Sequence, residues 1–219
     1  MTYTARRIAG LLDEELPWLS VRAADRVPGP DWISCAELVQ SQQAGADPTA
    51  AWRAALAREY GQQYGVEPPV QVAAMFVLMW YVGVPALVAG LSGALTGVSP
   101  DVSPAALAFR RHPTQHFPTE VALLSDRVIP LEVAAVQLEE HTRAFLETFR
   151  PEVKLSSRQR YGAAEDELRR AIQTPEEAEF AKETASAFGI DLGQQVRTSC
   201  CFFYALPGVT PCGGCPRIC

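Results

Sequence analysis

Apolar residues along this chain fall into three kinds of stretch: amphipathic helical stripes, one long uncharged run, and short alternating segments between prolines. Pro130 to Phe149 carries Leu131, Ala134, Ala135, Leu138, Phe145 and Phe149 on one side, with Glu132, Glu139, Arg143 and Glu147 opposite. This periodicity predicts a helix with one buried face. Asp47-Pro48-Thr49 reads as an N-cap followed by proline at the first helical position. Ala51, Trp52, Ala55 and Leu56 continue it at helical spacing, and Gly65 is the expected stop. Thr174-Pro175-Glu176-Glu177 has the form of a capping box and predicts a helix to about Phe188, ended by Gly189.

Pro68 to Pro100 contains no charged residue. Its length would suffice for a membrane span. Pro85 and the glycines at 83, 90, 93 and 97 weaken such a span, and no basic cluster flanks it. A central helical hairpin, buried on nearly all sides, is the expected arrangement, with Trp80 either in the core or on a pocket wall. Contact with a membrane stays open; spanning is not expected. Pro104, Pro113 and Pro118 disfavour long helices between 103 and 129. Ala105–Phe109 and Glu120–Leu124 read there as two short strands around a polar turn. The fold class expected is mainly α, or α+β with a small β element. Residues 1–196 form a helical body, with 197–219 attached as a cysteine-rich segment of one structural unit.

Length and composition permit a single well-filled core: 219 residues, 48% of them hydrophobic. A net charge of −6 offers no basic field, so nucleic acid is not an expected partner. The N-terminus lacks an apolar run behind Arg6-Arg7 and is followed by Asp13, Glu14 and Glu15, which predicts a cytoplasmic, reducing location.

In that setting the cysteines become informative. Five of six lie at the C-terminus: Cys200, Cys201, Cys212, Cys215 and Cys219. The first four read C-C-x10-C-x2-C. Two close pairs separated by a loop offer four thiolates to a metal centre. Three chemistries remain open on spacing alone. A [2Fe-2S] cluster takes two thiolates on each iron. A structural zinc site takes four ligands but normally from two spaced knuckles, which adjacent Cys200 and Cys201 do not make. A thiol–disulfide relay through Cys212-Gly-Gly-Cys215 would be expected beside a βαβ pattern. Cys219 reads as a free terminal thiol, and Cys35 as a small apolar core residue.

The context of these cysteines is Arg197-Thr-Ser-Cys-Cys, an aromatic tail (Phe202, Phe203, Tyr204), Leu206-Pro207-Gly208, then Cys212-Gly-Gly-Cys-Pro216. It resembles the C-terminus of FhuF-type ferric-siderophore reductases, whose C-C-x10-C-x2-C pattern carries a [2Fe-2S] centre. A weaker resemblance covers Lys154 to Ala164, where Tyr161-Gly162-Ala163 stands in place of the family's Trp-Gly-Asn-Ala. The resemblance implies that Cys200, Cys201, Cys212 and Cys215 hold the cluster. It implies one-electron reduction of siderophore-bound Fe(III) to a releasable Fe(II), with hydroxamate-type chelates among the candidates. No nucleotide fingerprint occurs in the chain, so a separate donor protein would supply the electron.

Reduction adds negative charge to a centre that is already anionic, so neighbouring cations and N–H donors raise its potential. Arg197, Arg217 and the Gly213 and Gly214 amides are the candidates. Phe202–Tyr204 would shield the centre or form a short strand on the body. Arg110, Arg111, His112 and His116 form a basic, titratable group that could meet substrate, and His141 is expected at the edge of an apolar helix face. The readings from other classes are a zinc-stabilised interaction module with a structural site of four cysteines and a non-redox siderophore-binding accessory protein.

Overall fold

A computed structural model describes residues 3–217. The chain runs α1 (Ala5–Glu15), β1 (Ser20–Ala23), β2 (Trp32–Ser34), α2 (Cys35–Gln43), α3 (Ala50–Tyr64), α4 (Val70–Thr96), β3 (Val98–Pro100), β4 (Leu107–Arg111), β5 (Pro118–Leu123), β6 (Val128–Pro130), α5 (Leu131–Thr148), α6 (Ser157–Gln173) and α7 (Ala181–Ala187). The fold is therefore mainly α with a small β element. The larger sheet has the order β1-β5-β4-β2, with β1 parallel to β5 and the other pairs antiparallel; β3 and β6 form a separate ladder. The two strands expected around the polar turn are β4 and β5, paired from Leu107↔Leu123 to Arg111↔Pro118.

The uncharged stretch is not a hairpin. It is one unbroken helix, α4, with Pro85 inside it. Proline removes one backbone hydrogen bond and crowds the preceding turn, but here the surroundings outweigh that cost. Of its residues, Met75, Val77, Leu78, Tyr81, Val82, Val88 and Leu91 are fully buried. The helix meets α1, α3, α5, α6 and α7 on its several sides. Its length and composition would let it cross a membrane, yet 83% of its most apolar window is buried within the fold. Its small residues serve close helix packing. A Cβ at Gly90 would stand 2.9 Å from the Ala171 Cβ of α6, and one at Gly93 2.7 Å from the Thr184 Cγ2 of α7.

Two helix starts also differ from the sequence expectation. The N-cap of α3 is Thr49, not Asp47; Asp47 accepts from the Thr49 N–H at 3.2 Å and hydroxyl at 2.8 Å while pairing with Arg53, and Pro48 precedes the helix. Gly65 ends it as expected, in the left-handed region. Thr174 closes α6 instead of opening a helix, and α7 starts only at Ala181, before Gly189 at φ 66°. Ahead of the cysteines, the capping box is Ser156 with Gln159 at the start of α6.

Cys35 is fully buried, as anticipated. It belongs to a hydrogen-bonded chain in the core. The Tyr81 hydroxyl lies 2.9 Å from His141 Nε2, and His141 Nδ1 lies 2.8 Å from the Val102 carbonyl. Burial pushes the Cys35 thiol up to about 12 and His141 down to about 4. His141 is thus a core residue, not one at the edge of the apolar face.

Candidate metal centre

Residues 197–217 contain little regular structure, so side chains of the body must place them. Asp166 on α6 does most of this. It is 3% exposed in its side chain. Its Oδ1 accepts the Thr198 N–H at 2.8 Å, and its Oδ2 accepts the Ser199 N–H at 2.9 Å and the Ser199 hydroxyl at 2.6 Å. Arg169 and Arg197 offset its charge at 3.3 and 3.4 Å. One turn before Asp166, Gly162 lets the strap lie flat on the helix. A Cβ there would approach Thr198 Cγ2 to 2.7 Å. One turn after, Arg169 donates to the Asp191 carbonyl at 2.9 Å and to Gln194 at 3.2 Å. A single helix face, Gly162-Asp166-Arg169, thereby fixes both the approach and the start of the cysteine segment.

The second cysteine pair is tied back to the same point. The Arg197 N–H donates to the Gly214 carbonyl at 2.8 Å, and the Cys215 N–H to the Cys212 carbonyl at 3.1 Å. Gly214 sits at φ 70°, and a Cβ on it would stand 2.7 Å from the Gln195 carbonyl oxygen. Both backbone conformation and space therefore demand glycine there. Between the pairs, Phe202 adopts a left-handed conformation (φ 60°) that turns the chain into a short 3-10 turn, Phe203–Ala205, where a strand was one of the expectations. Phe203 then packs on Tyr60, Tyr64 and Phe76, with ring centroids 5.4–6.1 Å apart.

This path separates the thiols by depth. Cys201 and Cys215 are buried, while Cys200 and Cys212 are half-buried. The Cys201 and Cys212 Sγ atoms stand 3.8 Å apart. Two thiolates on one tetrahedral metal with bonds of about 2.3 Å would be separated by about 3.8 Å, so this spacing suits a shared metal. Among the described residues, no three His, Cys, Asp or Glu side chains are grouped to hold a single ion. The Cys212 thiol is pushed up to about 11 by burial and by neighbouring Cys201, with Arg197 opposing. Paired sulfurs in this setting favour a bound cation.

Arg197 is a charged group that interacts electrostatically with Cys201 and Cys212. Burial disfavours its cation, but Glu167, Asp166, Cys201 and Cys212 together hold its pKa above the ordinary arginine value. Its Nη2 also lies 3.5 Å from the Met79 sulfur of α4. Arg217 stacks its guanidinium over the Tyr204 ring at 4.6 Å. Cys219 lies outside the described residues.

The other candidates are split. Trp80 lines a cavity of about 420 Å³ together with Met79, Glu167, Arg170 and Arg197. It also stacks on Trp52 and meets Phe76 edge to face, so it is both wall and core. Arg110, Arg111, His112 and His116 line a different cleft, which shares no residue with the first. There Arg110 is paired with Glu120, Arg111 lies over Trp52 at 5.0 Å, and His112 stacks on Phe117 while its Nδ1 faces the Thr114 and Gln115 N–H groups. Local partners thus account for that group. Asp166, Met79, Glu167 and Trp18 were not singled out from sequence. The only available signal was the spacing of Gly162, Asp166 and Arg169 on one helix face.

Residues 197–217 match the family model described as the FhuF 2Fe-2S C-terminal domain. No curated protein matches the chain. The strap, the glycine turn and the sulfur spacing all fall within the matched residues, and the match of this C-terminal segment to the FhuF 2Fe-2S domain model gives it a [2Fe-2S] cluster as its cofactor.

Proposed function

We propose that this protein is a ferric-siderophore reductase in which Cys200, Cys201, Cys212 and Cys215 hold the cluster. The cluster, when bound, supplies one electron at a time, which is what converts a siderophore-held Fe(III) into a weakly held Fe(II). The observation that carries this reading is the folding of the C-C-x10-C-x2-C segment, which brings Cys201 and Cys212 to 3.8 Å beside Arg197.

The chain's own residues act on binding and charge. Asp166 positions the first cysteine pair, and Gly214 shapes the second. Arg197 offsets negative charge at the thiolates, which favours the reduced form and raises the potential. Phe203, packed on Tyr60, Tyr64 and Phe76, keeps water from one side of the segment. A separate cytoplasmic donor protein delivers the electron.

The test is spectroscopic and kinetic. Anaerobically purified protein should be red-brown and contain about two irons and two acid-labile sulfides per chain. Dithionite should bleach it and produce an EPR signal that a ferric siderophore then removes. Cys212→Ser should lose that reaction. A colourless protein with one zinc would replace this reading with a zinc-stabilised interaction module.

A further inference from the structure

Resting on the reductase reading, we infer that the four cysteines pair crosswise, Cys201 with Cys212 on one iron and Cys200 with Cys215 on the other, and that the electron is held on the iron of Cys201 and Cys212. A [2Fe-2S] centre takes two thiolates on each iron, and four cysteines can be paired in three ways. The Cys201 and Cys212 Sγ atoms stand 3.8 Å apart. That is the separation of two thiolates on one tetrahedral metal with bonds of about 2.3 Å. Sulfurs on different irons have the two-metal core between them and stand farther apart. The contact therefore excludes the pairing of sequence neighbours, Cys200 with Cys201 and Cys212 with Cys215. It also excludes Cys200 with Cys212, which would leave Cys201 to Cys215.

Depth agrees with this division. Cys200 is half-buried and Cys201 buried, so adjacent side chains diverge. Cys212 and Cys215 differ in the same way, although the Cys215 N–H donates to the Cys212 carbonyl at 3.1 Å and closes a tight turn between them. Each iron then takes one buried and one half-buried sulfur, so exposure to water does not distinguish the two irons. Charge does.

Reduction turns one Fe(III) into Fe(II) and leaves its neighbour ferric, and the added negative charge settles where a cation stands closest. Arg197 is that cation, and its side chain is pinned. Its Nε faces Asp166 at 3.4 Å, and its Nη2 faces the Ser199 hydroxyl at 3.4 Å and the Met79 sulfur at 3.5 Å. The sulfurs in its field are Cys201 and Cys212. Asp166 and Glu167 pair with it, yet it still attracts negative charge at Cys212. Cys200 has the opposite neighbour. It follows Ser199, whose N–H and hydroxyl both end on the Asp166 carboxylate. One iron thus has a guanidinium beside its thiolates, and the other a carboxylate bound to the residue next to its ligand.

The experiment is Mössbauer spectroscopy of the full-length, dithionite-reduced protein, carrying enriched iron and serine at one position at a time. The ferrous and ferric ions give separate signals, and a hard serine oxygen in place of a soft sulfur alters the signal of the iron it binds. Cys201→Ser should alter the ferrous signal, and Cys200→Ser and Cys215→Ser should both alter the ferric one. Either of the last two behaving like Cys201→Ser would overturn the pairing. Cys201→Ser acting on the ferric signal would overturn the location of the electron. Arg197→Gln should lower the reduction potential by about 59 mV or more, a tenfold shift in a one-electron equilibrium, and Arg197→Lys should restore most of it; an unchanged potential in Arg197→Gln also overturns that location. Should a serine variant fail to load iron, the parent apo-protein decides the pairing. Diamide takes two electrons and two protons from two thiols and leaves one disulfide. Fragmentation mass spectrometry should find Cys201–Cys212 as the first such bond among the four cysteines, and any other first bond would overturn the pairing. An iron–sulfur parent whose variants divide differently keeps the reductase reading and loses only this inference; a colourless zinc protein loses both.

Discussion

Asp166→Asn isolates the attachment of the cysteine segment, because it keeps the size of the side chain and removes its charge. Asp166 accepts three hydrogen bonds from Thr198 and Ser199 and balances Arg169 and Arg197. An amide presents one acceptor oxygen and turns an NH2 group toward groups that are themselves donors. At least one of the backbone N–H groups of 198 and 199 loses its partner, and the two guanidiniums lose one counter-charge, Glu165 and Glu167 remaining. Breaking a buried charged network in this way costs about 3–5 kcal/mol. The cost falls on a short strap at the end of the chain, so it should appear first as local opening. Amide exchange at Thr198 and Ser199 should accelerate by about 10²- to 10⁴-fold, since each 1.4 kcal/mol is a factor of ten. Amides in the middle of α4 should keep most of their protection. Unchanged exchange at 198 and 199 would show that the carboxylate does not hold the strap, and the positioning role given to it would fall.

Gly214→Ala should cost about 1–3 kcal/mol or more from its left-handed backbone and its contact with the Gln195 carbonyl; iron content per chain is the readout, and wild-type loading would refute the requirement. His141 is held neutral in the core, at about 4 against an ordinary value near 6.5. Below pH 6.5 the unfolded chain takes up a proton that the folded chain refuses, so stability is full above 6.5 and falls by about 3 kcal/mol as pH drops toward 4. Urea midpoints should show this decline, and His141→Phe should flatten that part of the profile. Gly90→Ala should destabilise by about 1–3 kcal/mol by wedging α4 from α6 at Ala171 and Leu168, whereas a neutral result would mean that the two helices yield freely.

What the sequence revealed followed from local rules. The α5 stripe, the strands β4 and β5 and the stops at Gly65 and Gly189 each depend on residues within one element. The cysteine spacing was legible because four ligands of one kind leave a pattern that needs no tertiary knowledge. Pro85 misled because its cost is local and visible, whereas the burial of α4 against five other helices is not. Thr174-Pro175-Glu176-Glu177 misled because the same residues suit the turn after a helix as well as the start of one. Asp166 escaped notice because a carboxylate on an amphipathic helix looks like a solvated charge until the chain returns to cover it. Arg110 and His112 drew attention as a basic group, but Glu120, Phe117 and neighbouring backbone N–H groups already occupy them.

None of the bonds that strap Thr198 and Ser199 to α6 involves a sulfur atom. Asp166 can therefore seat the tail before any iron arrives, with Cys200 and Cys212 still reachable from outside. Biogenesis would then resemble handing a finished cofactor to a rigid acceptor, with no coupled collapse of a disordered chain around it. Apo-protein should be a well-structured recipient, with Thr198 and Ser199 already held on α6.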